Sequence, residues 1–275
     1  MEPKYNTSTN LEEVEKMIGY KFNDIILLRQ ALTDRSYEDI EQEEEEKSCK
    51  GTQSYFVAKP GFSSYERLEY VGDSVVNMLM AREDFLLYPD LPPGALTRLR
   101  AANVDTEKLA RVAIHYRLHD YLRHKKPLLS GQIEEFSKAI SDYPLHSNGL
   151  IDPPKVLADI VEAIVGAVYI DSTFSMEITW QVVKGLLQPI ITPKSLQIHP
   201  MTKLYEMCQK NGFKIKVNDL WENTGEIQVL VDGEIAGRGQ YQSKKIIALN
   251  RAANNAYHQI MRNKFNTKDN ANIDD

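Results

Sequence analysis

The stretch SSYERLEYVGDSVVNMLMARE, from Ser63 to Glu83, decides how the fold is interpreted. Its periodicity predicts a helix on which Glu66, Glu69 and Asp73, spaced three and four residues apart, share one face. Apolar side chains cover much of the remaining surface, namely Leu68, Val71, Val75, Met78 and Leu79. An acidic stripe on such a helix is costly to bury unless a positive charge lies against it, either a cationic side chain or a metal ion.

A second apolar stretch carries the same kind of acidic face. Residues 155–172, KVLADIVEAIVGAVYIDS, predict a helix on which Asp159 and Glu162 lie three residues apart among valines, isoleucines and leucine. If the two helices pack together, Glu69, Asp73, Asp159 and Glu162 converge. Clusters of oxygen ligands alone suit the hard cations Mg²⁺ and Mn²⁺, which assist phosphodiester hydrolysis.

A plainer interpretation of these acids stays open at this point. Each carboxylate could pair with a cationic side chain, and Arg67 and Arg82 are available for that purpose. The occurrence of two acid pairs on two unusually apolar helices favours the metal. Periodicity alone does not show that the helices meet.

Composition indicates a soluble globular chain long enough for two domains. It has 275 residues, 42% hydrophobic and 26% charged. No apolar stretch is long enough for a transmembrane helix, and the polar N-terminus is not that of a secretory signal. Cys49 and Cys208 lie far apart, which argues against a disulfide framework. We therefore expect an intracellular protein, in the nucleus, the cytoplasm or both, with no membrane partner.

The net charge of −6 is distributed unevenly along the chain. Residues 1–195 carry an excess of eight negative charges, whereas residues 196–265 carry an excess of four positive charges. The run from Glu38 to Glu46 holds seven acids in nine residues and predicts a solvated, disordered loop. A basic module that follows an acidic domain fits a phosphate-binding unit beside a metal-binding one.

Hydrophobic patterning divides the chain into a helical domain and a small mixed one. Residues 1–191 predict an all-α domain interrupted by the acidic inserted loop, at about 38–64. Residues 192–200 are a proline-containing linker, 201–265 predict the order α-β-β-β-α with a turn at Asp232-Gly233, and 266–275 predict a disordered tail. Within the first domain we predict helices, besides the two acidic ones, at 11–20, 24–32 and 176–191, and helical structure in one or two pieces over 95–118.

The sequence resembles the ribonuclease III family. ERLEYVGDSVV (66–76) is similar to the signature helix of that family, and the resemblance extends through IGYKFNDIILLRQALTDRSY, LPPGALTRLRAANV and LADIVEAIVGAVYIDS. It covers most of residues 11–190, and the C-terminal unit resembles a double-stranded-RNA-binding domain. HSNGLIDPPKVLADIVEA looks most like the plant ribonuclease-III-like proteins and plant Dicers; a single nuclease domain favours the former.

The resemblance implies a role for each acid. Glu69, Asp73, Asp159 and Glu162 match the family's metal ligands, for Mg²⁺ with Mn²⁺ as a substitute. Asp73 and Glu162 match its most critical catalytic residues, and Glu66 matches an additional catalytic acid. The resemblance also implies that Gly72 permits close approach between helices, and that the metal is the counter-charge of the acidic stripe.

The resemblance further implies a homodimer on double-stranded RNA. Tyr70 falls where an aromatic residue takes part in the family's dimer contact, and each of two centres would cut one strand. The residues that match RNA-binding positions, or lie near them, are Lys203, Lys244, Lys245 and Arg251. Two departures stand out: Asp34 replaces a usual histidine, and the Gly-Pro-x-His loop of the RNA-binding domain is absent. RNA binding is therefore expected to be weak and directed by shape.

These patterns favour a Mg²⁺-dependent endoribonuclease that cuts double-stranded RNA into duplexes with 3′ overhangs and 5′ phosphates, for example in the processing of ribosomal or small-RNA precursors. The alternative is a non-catalytic accessory protein that binds double-stranded RNA. A phosphohydrolase acting on small nucleotides is a third possibility, but no glycine-rich nucleotide loop supports it.

Overall fold

The structure, a computed structural model, describes residues 10–37 and 64–271, with side chains as far as residue 263. Apart from Ser64, the predicted inserted loop lies outside the described residues. The chain forms two compact units. The first comprises Met1–Ser141 and Pro153–Leu196, and the second comprises Asp142–Asp152 and Gln197–Asp275.

The described part of the first unit is built from α-helices joined by loops and short 3₁₀ turns, which confirms the mostly helical prediction. The helices are α1 (Leu11–Ile18), α2 (Ile25–Ala31), α3 (Glu66–Leu87), α4 (Pro93–Val104), α5 (Thr106–His115), α6 (Leu129–Ala139), α7 (Lys155–Asp171) and α8 (Met176–Leu186).

The structure settles one helix prediction, corrects a second and adds a third helix. The region 95–118, predicted as helix in one or two pieces, forms two helices, because the Asp105 carboxylate accepts a hydrogen bond from the Lys108 backbone N–H (2.9 Å) and begins α5 as its N-cap. The helix predicted at 176–191 ends at Leu186, shortly before the Gln188–Pro189 bond. Helix α6 was not predicted from the sequence; it buries Leu129 and Phe136 against the core.

Helices α3 and α7 are in direct backbone contact. A Cβ atom added at Gly72 of α3 would overlap the carbonyl oxygen of Glu162, and one added at Gly166 of α7 would overlap the carbonyl oxygen of Leu68. Each helix therefore has a glycine where the other crosses it, and the acidic faces of both helices begin beside this crossing. The core below it contains fully buried side chains from both helices, namely Leu79, Met80, Leu157, Ile160 and Ile164.

The second unit has the predicted order of helix, three strands and helix, with one additional turn of helix. Its strands form an antiparallel sheet in the order β1-β2-β3. The turn at Asp232-Gly233 joins β2 to β3, and both of its residues have positive φ, 52° and 93°. The elements are α9 (Pro200–Asn211), β1 (Ile215–Leu220), α10 (Trp221–Thr224), β2 (Glu226–Val231), β3 (Glu234–Gln240) and α11 (Lys245–Ala271).

Helices α9 and α11 cover one face of this sheet. Cys208 of α9 is buried in the resulting core, as a packing residue, with Leu204, Val229 and Ala252. Helix α11 continues to Ala271, across the start of the segment for which we predict a disordered tail, and residues 272–275 lie outside the described part.

The loop Asp142–Asp152 belongs to the second unit, although the residues on both sides of it belong to the first. Its backbone carbonyl groups accept side-chain hydrogen bonds from α11: Asn250 donates to Gly149 (2.9 Å) and Arg251 donates to Leu150 (2.9 Å). Along the described residues, no helix is long and apolar enough to span a membrane.

Substitution of Gly72 by alanine tests the α3–α7 contact. We expect Gly72→Ala to lower the free energy of unfolding by at least about 3 kcal/mol, because its methyl group meets a backbone carbonyl that has no room to move. Gly131→Ala in α6 is the matched control, since no atom lies within 4 Å of the added Cβ. The control should raise stability by about 0.5–1 kcal/mol, through the lost backbone entropy of glycine in a helix. Equal effects of the two substitutions in urea unfolding would contradict the packing described here.

Candidate metal centre and cationic surface

Three predicted metal ligands converge where α3 meets α7. Glu69 on α3 and Asp159 and Glu162 on α7 each place a carboxylate oxygen within 4.8 Å of the oxygens of the other two. Asp159 is buried, whereas Glu69 and Glu162 are half-buried. The two helices therefore assemble the acidic cluster that the spacing in the sequence predicted.

This arrangement strongly disfavours the charged form of Glu162. Burial, together with the charges of Asp73, Asp159 and Glu69, raises the pKa of Glu162 from 4.5 to about 8. At neutral pH the Glu162 carboxyl therefore keeps its proton unless a further positive charge, besides that of Lys155, enters the cluster.

Lys155, at the start of α7, supplies one positive charge. Its Nζ lies 2.9 Å from Oε1 of Glu69 and 2.5 Å from Oδ1 of Asp159. Burial alone would lower the pKa of Lys155, but its hydrogen bonds to Asp159 and Glu69 hold that pKa above its usual range. Burial raises the pKa of Asp159, and Lys155 acts in the opposite direction.

The other oxygen of Asp159 is also engaged. Tyr65, the residue before α3, is 5% exposed, and its hydroxyl donates to Oδ2 of Asp159 at 3.3 Å. Burial and the nearby Asp159 carboxylate raise the pKa of Tyr65, so that its hydroxyl stays protonated and acts as a donor.

The remaining predicted acids lie outside the group of three. The carboxylate of Asp73 is exposed and accepts a hydrogen bond from Nδ2 of Asn77 (2.8 Å), while the side-chain oxygen of Asn77 accepts from Arg100 of α4. Asp73 is nevertheless close enough to raise the pKa of Glu162. Glu66 is exposed on the first turn of α3.

The cluster fits a divalent cation by the chemistry of its donors. Its ligand atoms are carboxylate oxygens, and three carboxyl groups stand beside the single positive charge of Lys155. Mg²⁺ and Mn²⁺ are hard cations that bind oxygen ligands of this kind. Glu69, Asp159 and Glu162, with Asp73 beside them, would hold such an ion.

The cationic interpretation of the acidic stripe proves partly correct. A cationic side chain does lie against the acids, but it is Lys155, and Arg82 instead pairs with Glu177 at 2.8 Å. Sequence reasoning overlooked both Lys155 and Tyr65. The spacing of Lys155, four residues before Asp159, was a usable signal, because side chains so spaced are neighbours on a helix. Nothing local linked Tyr65 to Asp159, which lies 94 residues away.

The predicted RNA-binding residues lie in the second unit, and three of them contact neighbouring protein groups. Lys244 pairs with Asp152 at 2.6 Å, and Lys245 pairs with Asp219. Arg251 lies over the ring of Tyr241, 4.8 Å from its centroid. Lys203, on α9, is half-buried.

Comparisons with known proteins identify a family that this chain resembles. Residues 66–173 match the Ribonuclease III domain family. Ribonuclease 3-like protein 3 of Oryza sativa subsp. japonica is 49% identical over 249 residues, which make up 90% of this chain and 77% of that protein. Ribonuclease 3-like protein 2 of Arabidopsis thaliana is 36% identical over 253 residues, 90% of this chain and 59% of that protein.

Two further matches cover smaller parts of this chain. Endoribonuclease Dicer homolog 1 of Arabidopsis thaliana is 45% identical over 204 residues, 71% of this chain but 11% of that protein. Among solved structures, the nuclease domain of ribonuclease III from Campylobacter jejuni aligns with a TM-score of 0.45 and 24% identity, over 66% of this chain and 98% of that one.

The raised pKa of Glu162 predicts how pH affects stability. The carboxyl titrates near 4.5 when unfolded and near 8 when folded, so the folded state retains a proton that the unfolded state loses as pH rises between these values. The free energy of unfolding therefore falls as pH rises between these two pKa values of Glu162. In chelator, Glu162→Gln should melt a few degrees above the wild type at pH 8 but equally at pH 4.5, by circular dichroism. Glu66→Gln, at an exposed position, is the control and should have little effect. A gain for Glu162→Gln that does not depend on pH would contradict the assignment.

Proposed function

The chain belongs to the ribonuclease III family, as a plant ribonuclease-III-like endoribonuclease, and from this premise we propose that it is a Mg²⁺-dependent enzyme that cuts double-stranded RNA into duplexes with 3′ overhangs and 5′ phosphates. The observation that carries the proposal is the convergence of Glu69, Asp159 and Glu162 within 4.8 Å. A cluster of this kind, on two helices in backbone contact, suits a reaction at a phosphodiester.

The proposed roles follow from where each acid lies. Glu69, Asp73, Asp159 and Glu162 hold the cation, for which Mn²⁺ substitutes. When bound, the cation supplies Lewis acidity for phosphoryl transfer. Asp73, exposed beside the cluster, and Glu162, with its raised pKa, are the residues most critical for catalysis. Glu66, on the exposed first turn of α3, acts from the solvent side as an additional catalytic acid.

A homodimer would place two such centres on one RNA duplex. Tyr70 is 78% exposed on α3, and two further apolar side chains on that helix, Met78 and Phe85, are 56% and 69% exposed. By helical geometry the three lie within about 80° of one another, so they form an apolar stripe on one face. We propose that this stripe, with Tyr70, contributes to the dimer contact, so that each centre cuts one strand.

The second unit is proposed to bind double-stranded RNA through Lys203, Lys244, Lys245 and Arg251. Its order of helix, three antiparallel strands and helix, together with its excess of basic residues, supports this role. Phosphates that approach Lys244 and Lys245 compete with the carboxylates of Asp152 and Asp219. This competition favours weak binding. We further propose an intracellular role in processing ribosomal or small-RNA precursors, in the nucleus, the cytoplasm or both.

Cleavage of a long, end-labelled RNA duplex tests the catalytic proposal. We expect cutting with Mg²⁺ but not with Ca²⁺ or chelator, and at least about a hundredfold slower cutting by Asp73→Ala or Glu162→Ala, because each removes a charge from the cluster. Both variants should still shift duplex RNA on a gel. A variant that cuts at the wild-type rate would refute the site assignment. A wild type that shifts duplex RNA without cutting it would favour the accessory-protein alternative.

Substitution of Asp152 tests the cationic surface. Asp152→Asn removes the partner of Lys244 and should tighten binding of duplex RNA by about twofold to fivefold in Ca²⁺, the range expected for one exposed ion pair. Binding should also become steeper in salt, because one more lysine is available to a phosphate. Glu234→Gln, on β3, removes the same charge without disturbing Lys244 and is the matched control. Equal tightening by both variants would show a general charge effect and contradict the proposed competition.

A further inference from the structure

Tyr65 links the acidic cluster, which its side chain contacts, to a separate part of the first unit, which its backbone contacts. The Tyr65 backbone N–H donates to the carbonyl oxygen of Thr33 (2.9 Å), and the carbonyl oxygen of Ser64 accepts from the Gln30 side chain (3.2 Å). Two backbone anchors therefore fix the chain just before α3. From this fixed position the Tyr65 hydroxyl reaches Oδ2 of Asp159.

The anchor itself is rigidly held. Asp34, which follows Thr33, is 3% exposed, and its carboxylate accepts hydrogen bonds from the backbone N–H and hydroxyl of Ser36 (2.9 and 2.6 Å) and pairs with Lys126 at 2.6 Å. The Asp34 backbone N–H donates to the carbonyl oxygen of Arg123 (2.9 Å). The acid that stands where the family usually has histidine is thus part of the support for Tyr65.

The two oxygens of Asp159 have different partners. Oδ1 faces Lys155, which also contacts Glu69, and from this shared lysine we infer that Oδ1 is the oxygen nearer the cluster. Oδ2 receives the Tyr65 hydroxyl. Because Asp159 is only 6% exposed, water has little access to take over either contact. Without the hydroxyl, the carboxylate would have no described donor on Oδ2 and could turn about its terminal bond.

We propose that Tyr65 is a positioning residue for the metal centre: its hydroxyl fixes the Asp159 carboxylate so that Oδ1 points towards Glu69 and Glu162. The proposal rests on the proposed function, because it assumes that these oxygens bind a divalent cation. Groups that hold a metal ligand in place, without touching the metal, typically govern affinity by tenfold to a hundredfold when they are removed. Lys155 cannot replace Tyr65, since it contacts the opposite oxygen.

Tyr65→Phe removes the hydroxyl and keeps the ring that fills the buried site. We expect Mg²⁺ and Mn²⁺ to bind the RNA-free variant about tenfold more weakly in isothermal titration calorimetry. In cleavage assays, the Mg²⁺ concentration for half-maximal rate should rise by a similar factor, while kcat at saturating Mg²⁺ and KM for duplex RNA stay close to wild type. A merely structural role would lower the melting temperature without this selective loss of metal affinity.

Tyr20→Phe is the matched control. The Tyr20 hydroxyl donates to Oδ2 of Asp171 at 2.7 Å, so this variant also loses a tyrosine–carboxylate hydrogen bond to α7, but at the far end of that helix. Both variants should show similar changes in melting temperature in chelator. At intermediate Mg²⁺ concentrations, the rise in melting temperature caused by Mg²⁺ should be smaller in Tyr65→Phe alone. If Tyr65→Phe is poorly soluble, the melting curve of its soluble fraction still shows how far Mg²⁺ stabilises the folded protein.

The outcomes separate this inference from the function on which it rests. A Tyr65→Phe protein whose metal affinity stays within twofold of a wild type that binds metal and cuts RNA would overturn the positioning role and leave the proposed function intact. Equal losses of metal affinity in Tyr65→Phe and Tyr20→Phe would also overturn it, as a general weakening of α7. A wild type that binds neither Mg²⁺ nor Mn²⁺ would overturn both proposals.

Discussion

The backbone contact between α3 and α7 is the constraint on which the first unit depends. Gly72 and Gly166 have no side chain at the points where the other helix passes, so the two helices approach as closely as their backbone carbonyl oxygens permit. Glu69 lies one turn before Gly72, and Glu162 lies one turn before Gly166. The same contact that closes the core therefore places carboxylates from two helices within 4.8 Å of one another.

The acidic cluster lowers the stability of the fold and at the same time provides the proposed metal site. Burial disfavours the charged form of Glu162, the neighbouring acids repel it, and both effects raise the pKa of Glu162. Lys155 relieves part of it by contacting Glu69 and Asp159 together. The protein thus folds around a site that is only partly neutralised. The remaining excess of negative charge would give a divalent cation its affinity, because the cation would remove a cost already present in the fold.

The sequence was sufficient to predict features set by local spacing, such as which acids share a helix face. It was not sufficient to predict features that depend on contacts between distant parts of the chain. Spacing placed Glu69 and Asp73 on one helix and Asp159 and Glu162 on another, since helical periodicity is a local property. Helix α6 escaped because Leu129 and Phe136 are its only fully buried residues, which leaves a sparse apolar pattern. Tyr65 and the docked loop Asp142–Asp152 escaped for a different reason: their partners lie 94 and about a hundred residues away, and no local signal reports such distances.

The loop Asp142–Asp152 also bears on how the second unit is inherited. Because that unit is built from two separate pieces of chain, a fragment that begins at the linker includes all three strands and both long helices but leaves the Asn250 amide without its acceptor at Gly149. A gene fusion made at the linker would transplant an incomplete module, in which Asn250 and Arg251 lose the carbonyl acceptors that the loop supplies. Transfer of the complete second unit by recombination would therefore have to carry both pieces of chain together.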